Sequence, residues 1–370
     1  MNRKPTGGPT GGPTGKPTAR PEPEQRRALT HHPRVAAFLR RTACTAVLAS
    51  ALTLTAPPAS AATPQAPTAT SRTSSAVKAP APTTAPLDRC AQQAHTEVFR
   101  AGGPPLLDWR ENLEFDGHGT LWVSHVTRHR VEGYAPDGTL RTSFPVNGPG
   151  GIRRGPDGMM YVNFGLNPLT SWVSGGGILR FDPTAATPKP VKVVDGVSGV
   201  NGLAIDADGN FYLGRELATG ILKIRPDGTT DEKWTRAANI FGTNGLQIVG
   251  DQLYASVLTN AASPVVRIPL NDPAHHTTVT HLSPRPFDIK LLDDLTAFDG
   301  NLLVTSFRDG ELIQVEPTTG RSCILATGLR MPTSVRLARG FGDHSAQRAL
   351  FVSEASGRIV KVTVPRHGAG

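Results

Sequence analysis

The sequence has little that marks a polyanion binder, a membrane protein or a helical bundle. Its formal charge of +9 sits at one end. Residues 1 to 89 hold 12 Lys and Arg against 3 Asp and Glu, and the remainder holds 27 of each. A nucleic-acid partner needs a basic face to displace counterions from phosphates, and an electroneutral body gives no global sign of one. No apolar stretch is long enough to cross a bilayer as a helix. The body also lacks sustained 3.6-residue hydrophobic periodicity. Ser174-Gly175-Gly176-Gly177 is glycine-rich without a following helix or lysine, which excludes a phosphate cradle. Cysteine is scarce, with three in 370 residues, and only Cys90 and Cys323 lie beyond the first 61.

What is present begins with an address. Arg34, Arg40 and Arg41 precede a modest apolar stretch from Ala43 to Ala56, followed by Pro57-Pro58 and the small-residue cleavage signal Ala59-Ser60-Ala61. Residues 1–61 therefore read as an export signal, of the general secretory or twin-arginine type, and the protein is expected outside the cytoplasm. Residues 62–92 form a linker rich in Pro, Thr and Ala that buries too little apolar surface to order itself. A body follows over 93–365, and 366–370 is a tail.

The body repeats. A hydrophobic triplet after a turn recurs as Leu121-Trp122-Val123, Met160-Tyr161-Val162, Phe211-Tyr212-Leu213, Leu253-Tyr254-Ala255, Leu302-Leu303-Val304 and Leu350-Phe351-Val352. The centres are 39, 51, 42, 49 and 48 residues apart. Each triplet is followed by a second short β-branched run, and Asp-Gly turns supply the positive φ that tight hairpins need. Four strands per unit repeated six times is the sequence form of an all-β, six-bladed β-propeller. The last unit has three strands of its own, and Thr96-Glu97-Val98-Phe99 stands ahead of the first unit without a partner. That N-terminal strand is expected to complete the last blade. In an oxidising compartment, a Cys90–Cys323 bridge would pin this closure.

Aligning the units gives a ring of residues at the start of each innermost strand: Glu111, Gly150, Asn201, Asn244, Asp293 and Thr333. Four of the six carry carboxylate or carboxamide oxygens, and Asp294 adds a carboxylate alongside. Such hard donors suit Ca²⁺ first, with Mg²⁺, Mn²⁺ or Zn²⁺ as alternatives. Carboxylates gathered around a narrow tunnel repel one another unless a cation relieves them.

The repeat form, the glutamate on the first inner strand, the strings Asn201-Gly202-Leu203 and Asn244-Gly245-Leu246, and the acidic residue one unit later resemble the SMP-30/gluconolactonase/LRE-like family. They resemble the paraoxonase-like lactonases more distantly. The resemblance implies that Glu111, Asn244 and Asp293 hold a divalent metal, with Asn201 as a further ligand or substrate contact. The paraoxonase-like pattern adds Asp294. It also carries a histidine where this sequence has Gly150, so that proton acceptor is missing.

With the export signal, the resemblance implies an exported metal-dependent hydrolase of a lactone or related ester, in which Asp293 or Asp294, or else His125 or Glu216, activates water. His125, Arg153 and Glu216 are the candidate contacts to a small-molecule substrate. A lyase or synthase on the same framework is a further possibility, because a fold does not fix a chemistry. The alternative is a non-catalytic extracellular propeller that holds a ligand or partner around a structural metal. A monomer is the default state.

Overall fold

In the computed structural model, each of the first three repeats opens on a hairpin tied by an aspartate. Asp116 Oδ1 accepts from the backbone N–H of His118 at 2.7 Å and of Thr120 at 3.0 Å, and its Oδ2 accepts from Trp122 Nε1 at 3.1 Å. Asp206 repeats the device, accepting from the N–H of Asn210 at 2.8 Å and from the Tyr212 hydroxyl at 3.0 Å. Gly117 and Gly209 take the positive φ of these turns, 79° and 81°. The aromatic centre of the triplet is thus part of the turn chemistry. The Asp206-Asp208-Asn210 spacing, which imitates part of a calcium loop, serves the hairpin.

The structure describes residues 86–166, 174–283, 285 and 288–365. The export signal and most of the linker, and the tail after 365, lie outside them. The strands form six antiparallel sheets taken in chain order. The first blade consists of Arg110–Phe115, Leu121–His125, Arg130–Tyr134 and Leu140–Pro145. The innermost strands of the next five are Ile152–Arg154, Val200–Ile205, Thr243–Val249, Leu292–Phe298 and Pro332–Leu337. Five blades have four strands. In the third, Asp231 caps a short helix, Glu232–Ala237, where the four-strand repeat predicts an outer strand. Its Trp234 packs edge-on against Tyr212, ring centroids 5.0 Å apart, and covers the blade as a strand would.

The last blade closes as expected. His95–Arg100 runs antiparallel to Ile359–Thr363, with Val98 opposite Val360. Cys90 and Cys323 are joined by a disulfide across 233 residues of sequence. Arg89 bridges Ile324, and Cys90 N–H donates to Ile324 carbonyl at 2.9 Å. The body therefore starts before residue 93, because the bridge and these hydrogen bonds hold residues 88–90 against the outer strand of the fifth blade.

The core lies in the seams between blades. Between the sixth and first blades, Leu113, Phe115 and Val123 meet Phe341, Phe351 and Ile359. Between the first and second, Trp122 and Phe144 meet Ile152 and Phe181. Each such fully buried side chain stabilises by about 1.5–3 kcal/mol relative to exposure. Among the described residues, no helix is long and apolar enough to cross a membrane.

Five of the six innermost strands shift register at their start: at Arg110/Asn112, Val200/Leu203, Thr243/Leu246, Leu292/Leu295 and Pro332/Ser334. A bulge leaves residues unpaired and re-aims their side chains. Glu111, Asn201, Asn244, Asp293 and Thr333 all fall inside these shifts.

Candidate functional site

The bulges turn four of the ring residues into one chamber. Glu111, Asn201, Asn244 and Asp293 line a cavity of about 160 Å³ together with Glu216, Trp109, Leu166, Leu258, Leu291 and Phe307. Asn201 is shared between two acids: its Nδ2 donates to Glu111 Oε1 and to Glu216 Oε1, each at 2.5 Å. Asn244 Nδ2 donates to Asp293 Oδ1 at 2.8 Å. Trp109 Nε1 donates to Glu111 Oε2. The Trp109 ring stacks on Phe307, centroids 5.6 Å apart at 28°.

Gly202 and Gly245 explain the repeated Asn-Gly strings. Neither glycine is among the residues with positive φ, so neither serves a turn. A Cβ on Gly202 would lie 1.8 Å from the Asn244 carbonyl oxygen, and one on Gly245 would lie 2.4 Å from Asp294 Cα. The glycines let neighbouring innermost strands approach closely enough to bring successive ring residues together.

Burial raises every carboxyl in the chamber, and repulsion from neighbouring acids adds to the rise at Glu111 and Asp293. Glu111 is pushed up to about 7, first by burial and then by the charge of Glu216, against the hydrogen bonds from Asn201 and Trp109. Burial raises Glu216, opposed by its bond from Asn201. Asp293 is held well above the usual carboxylate range by burial and then by Glu111, Glu216 and Asp294. Three acids around one small, largely apolar space are the feature a divalent cation would relieve.

The donor chemistry fits such a cation. The carboxylates of Glu111, Glu216 and Asp293 are hard oxygen ligands, and a half-turn of the Asn201 and Asn244 amides would present Oδ1 in place of Nδ2. Among the described residues, no three His, Cys, Asp or Glu side chains are already gathered as a metal-binding group. The carboxamides stand between the acids and hold them by hydrogen bonds.

The remaining ring positions turn elsewhere. Thr333 Oγ1 donates to the Arg110 carbonyl at 2.7 Å. A Cβ on Gly150 would meet Asn201 Oδ1 at 3.5 Å, at the position where the paraoxonase-like pattern has its histidine.

Three residues expected at the site are placed outside the chamber. Asp294 is 1 % exposed and points into the tunnel wall. It accepts from Ser334 Oγ at 2.6 Å and pairs with Arg336 Nη2 at 2.9 Å and Arg153 Nη2 at 3.3 Å. A carboxylate so enclosed is unavailable to activate water. Arg153 is thereby turned toward the opposite end of the tunnel. His125, a candidate substrate contact, has no exposed surface, and its ring nitrogens face Asp108 Oδ1 and Glu132 Oε1 at 3.1 Å each. It is the last residue of strand Leu121–His125 and so points between sheets.

The residue immediately after the second strand points into the chamber in the third, fourth and fifth blades: Glu216, Leu258 and Phe307. Glu216 was singled out in the sequence. The apolar members and Trp109 were not, although the shared position after each triplet carries the signal.

Against known proteins, no family model matches the sequence, and no curated protein matches it. Solved structures do. A gluconolactonase from Xanthomonas campestris is similar with a TM-score of 0.54 and 16 % identity, over 76 % of this chain and 95 % of that one. A luciferin-regenerating enzyme gives 0.55 and 16 %, over 74 % and 97 %. A calcium-binding protein, regucalcin, from Agrobacterium tumefaciens gives 0.54 and 13 %, over 76 % and 97 %. These neighbours are of the kind that the sequence resemblance named. At such identities they show that this chain shares their six-bladed propeller fold.

Proposed function

We propose that the protein is an exported, metal-dependent hydrolase of a lactone or related ester. The single observation that carries this reading is the chamber in which Glu111, Glu216, Asp293, Asn201 and Asn244 converge beneath an apolar wall. A divalent cation, Ca²⁺ first, bound by Glu111, Asn201, Asn244 and Asp293 would supply Lewis-acid polarisation of an ester carbonyl.

The chain's own side chains have separable tasks in this reading. Trp109 and Phe307 pack against the non-reacting part of the substrate and exclude water from it. Trp109 Nε1 also fixes the orientation of the Glu111 carboxylate. Glu216 takes the proton of the attacking water at Oε1 or Oε2, a task that suits a buried carboxyl of raised basicity. Among the four candidates for that role Glu216 is favoured, because Asp294 is enclosed by two arginines, Asp293 is needed as a ligand and His125 is buried between carboxylates.

Export is part of the reading, supported by the signal-like N-terminus and by the Cys90–Cys323 bridge, a bond favoured in oxidising compartments. The partner is a small molecule rather than nucleic acid, and a monomer suffices for a chamber built from a single chain.

The second reading, a propeller that holds a ligand around a structural cation, is favoured by one observation: the amides of Asn201 and Asn244 already satisfy the acids beside them. The test is to strip the secreted protein with chelator and resupply Ca²⁺, Mg²⁺, Mn²⁺ or Zn²⁺ over a panel of lactones and aryl esters. Cation-dependent turnover that disappears in Glu216→Gln supports the hydrolase. Cation binding without turnover on any member of the panel supports the scaffold.

A further inference from the structure

The opposite end of the tunnel holds a larger cavity, about 630 Å³, framed by the C-terminal ends of the innermost strands. We propose that this mouth binds a small, multiply charged oxyanion, of the phosphate or polycarboxylate kind. The proposal does not rest on the hydrolase reading.

Five cations line the cavity, Arg153, Arg154, Lys223, Arg336 and Arg339, against three acids, Glu114, Asp206 and Asp208. Three of the five cations have counter-charges behind the lining, Arg153 and Arg336 at Asp294 and Lys223 at Asp231, 4.0 Å away, so the lining acids bear chiefly on Arg154 and Arg339. Asp206 is occupied by its hairpin, accepting from two backbone N–H groups, Asn210 Nδ2 and the Tyr212 hydroxyl. Glu114 is a single carboxylate facing Arg153, Arg154 and Arg339 together. Asp208 lies exposed on the rim.

Two of the arginines are pre-positioned from behind. Arg153 Nη1 donates to Asn112 Oδ1 at 2.7 Å while its Nη2 reaches Asp294. Arg336 is 4 % exposed; its Nη1 donates to the Leu295 carbonyl at 3.0 Å, and its Nη2 lies 2.9 Å from Asp294. One aspartate therefore serves two buried guanidinium groups. Arg336 Nε and Nη2 are buried with ion-pair contacts but no directed hydrogen bond. Arg154 and Arg339 are exposed on the second and sixth blades, on either side of the first, and have no ion pair of their own among the described residues. Fixed guanidinium groups at the base of a concave site, with two guanidinium groups lacking an ion pair at its rim, recognise planar or tetrahedral oxyanions through charge-assisted hydrogen bonds. Gln247, Asn271 and Thr296 add neutral polar groups to the same wall.

The test is calorimetric titration of the cation-free protein at low salt with inorganic phosphate and, separately, with citrate. Saturable one-to-one binding of either is expected, weakened stepwise by added NaCl, and the tighter of the two identifies the kind of anion. The double variant Arg154→Glu/Arg339→Glu, exposed and outside the carboxylate chamber, is expected to lose at least tenfold in affinity with an unchanged melting temperature. Should that variant not fold, Arg154→Ala and Arg339→Ala singly are each expected to weaken binding by several fold. Absence of saturable binding to both anions, or affinity unchanged in these variants, overturns the proposal.

Discussion

Asn244 donates its side-chain amide to Asp293 Oδ1 at 2.8 Å, joining the ring across the seam between the fourth and fifth blades. That bond holds an acid whose neighbours, Glu111 and Glu216, push its proton affinity up. Adding a divalent cation should therefore stabilise the fold, by about 2.7 kcal/mol at one hundred times its dissociation constant. Asp293→Asn should remove the cation-dependent rise in melting temperature while raising the cation-free melting temperature slightly, because one source of repulsion is gone. Thermal melts with Ca²⁺ and with chelator check both signs, and a cation response that survives Asp293→Asn would exclude the ring as its source.

The same acids set the pH dependence. Glu111 titrates near 4.5 in the unfolded chain and at about 7 in the fold. Between those values the native state binds more protons than the unfolded one, so cation-free stability should fall as pH rises from about 4.5 through about 7. Bound cation opposes the loss by favouring the charged form. Urea unfolding in chelator at pH 5 and pH 8 should show the higher midpoint at pH 5. A higher midpoint at pH 8 would contradict the repulsion described for the chamber.

Glu216 and Asp294 separate chemistry from architecture. Glu216→Gln keeps the amide contact from Asn201 in reach and should lower turnover by about 10²–10⁴ with melting temperature nearly unchanged. Asp294→Asn leaves Arg153 and Arg336 without their shared counter-charge and should destabilise the fold by about 3–5 kcal/mol. Parallel measurement of initial rates and melting curves assigns each residue. The reverse pattern, with Asp294→Asn folded and inactive, would return the proton-accepting role to Asp294.

Much of this arrangement was legible in the sequence, because propeller repeats put equivalent residues at equivalent heights. The six triplets gave the blade count, and the unpaired Thr96–Phe99 segment gave the closure. The slot ahead of each innermost strand gave Glu111, Asn201, Asn244 and Asp293. The missing information concerns side-chain direction. Along a strand the side chain changes face at every residue, so His125, one position short of the slot that Glu216 occupies in its own blade, ends between carboxylates inside the sheet. Asp294 likewise lies one residue past Asp293 and points away from the chamber. The bulges that aim the ring residues have no composition of their own, and neither does the replacement of a strand by the helix at Glu232. Trp109, Leu258 and Phe307 read as ordinary apolar residues until the fold gathers them over the acids.

The disulfide makes the ring closure a joint property of both ends of the described chain. Cys90 and Cys323 enclose 233 residues of sequence separation, so removing the bridge restores a large loop entropy to the unfolded state. Cys323→Ser should cost about 2–5 kcal/mol. Because Gln93 Nε2 and the Cys90 N–H also bond to the Ile324 carbonyl, the local loss should expose the segment before His95 more than the strand itself. Hydrogen exchange should show faster exchange at residues 88–94, with His95–Arg100 still protected by Ile359–Thr363. Equal loss of protection in the strand would mean that the bridge, and not strand pairing, closes the blade.

Gly245 offers a test of why Asn-Gly recurs. If the pair served a turn, a residue tolerant of positive φ would replace the glycine, and Gly245→Asn would be nearly neutral. The geometry argues otherwise. The glycine is absent from the positive-φ residues, its N–H donates to Ser256 Oγ at 2.9 Å, and a Cβ would fall 2.4 Å from Asp294 Cα and 2.7 Å from the Asp293 carbonyl oxygen. The colliding atoms are mainly backbone of the next innermost strand, which cannot yield without separating Asn244 from Asp293. Gly245→Ala should therefore cost about 1–3 kcal/mol as an overpacked core position. It should also weaken cation binding more than the stability loss alone explains, because the seam it opens carries the Asn244–Asp293 contact. Melting curves combined with Ca²⁺ titration of Gly245→Ala and Gly245→Asn decide the matter: tolerance of asparagine with alanine excluded would indicate a turn, whereas loss with both indicates close approach of the two strands.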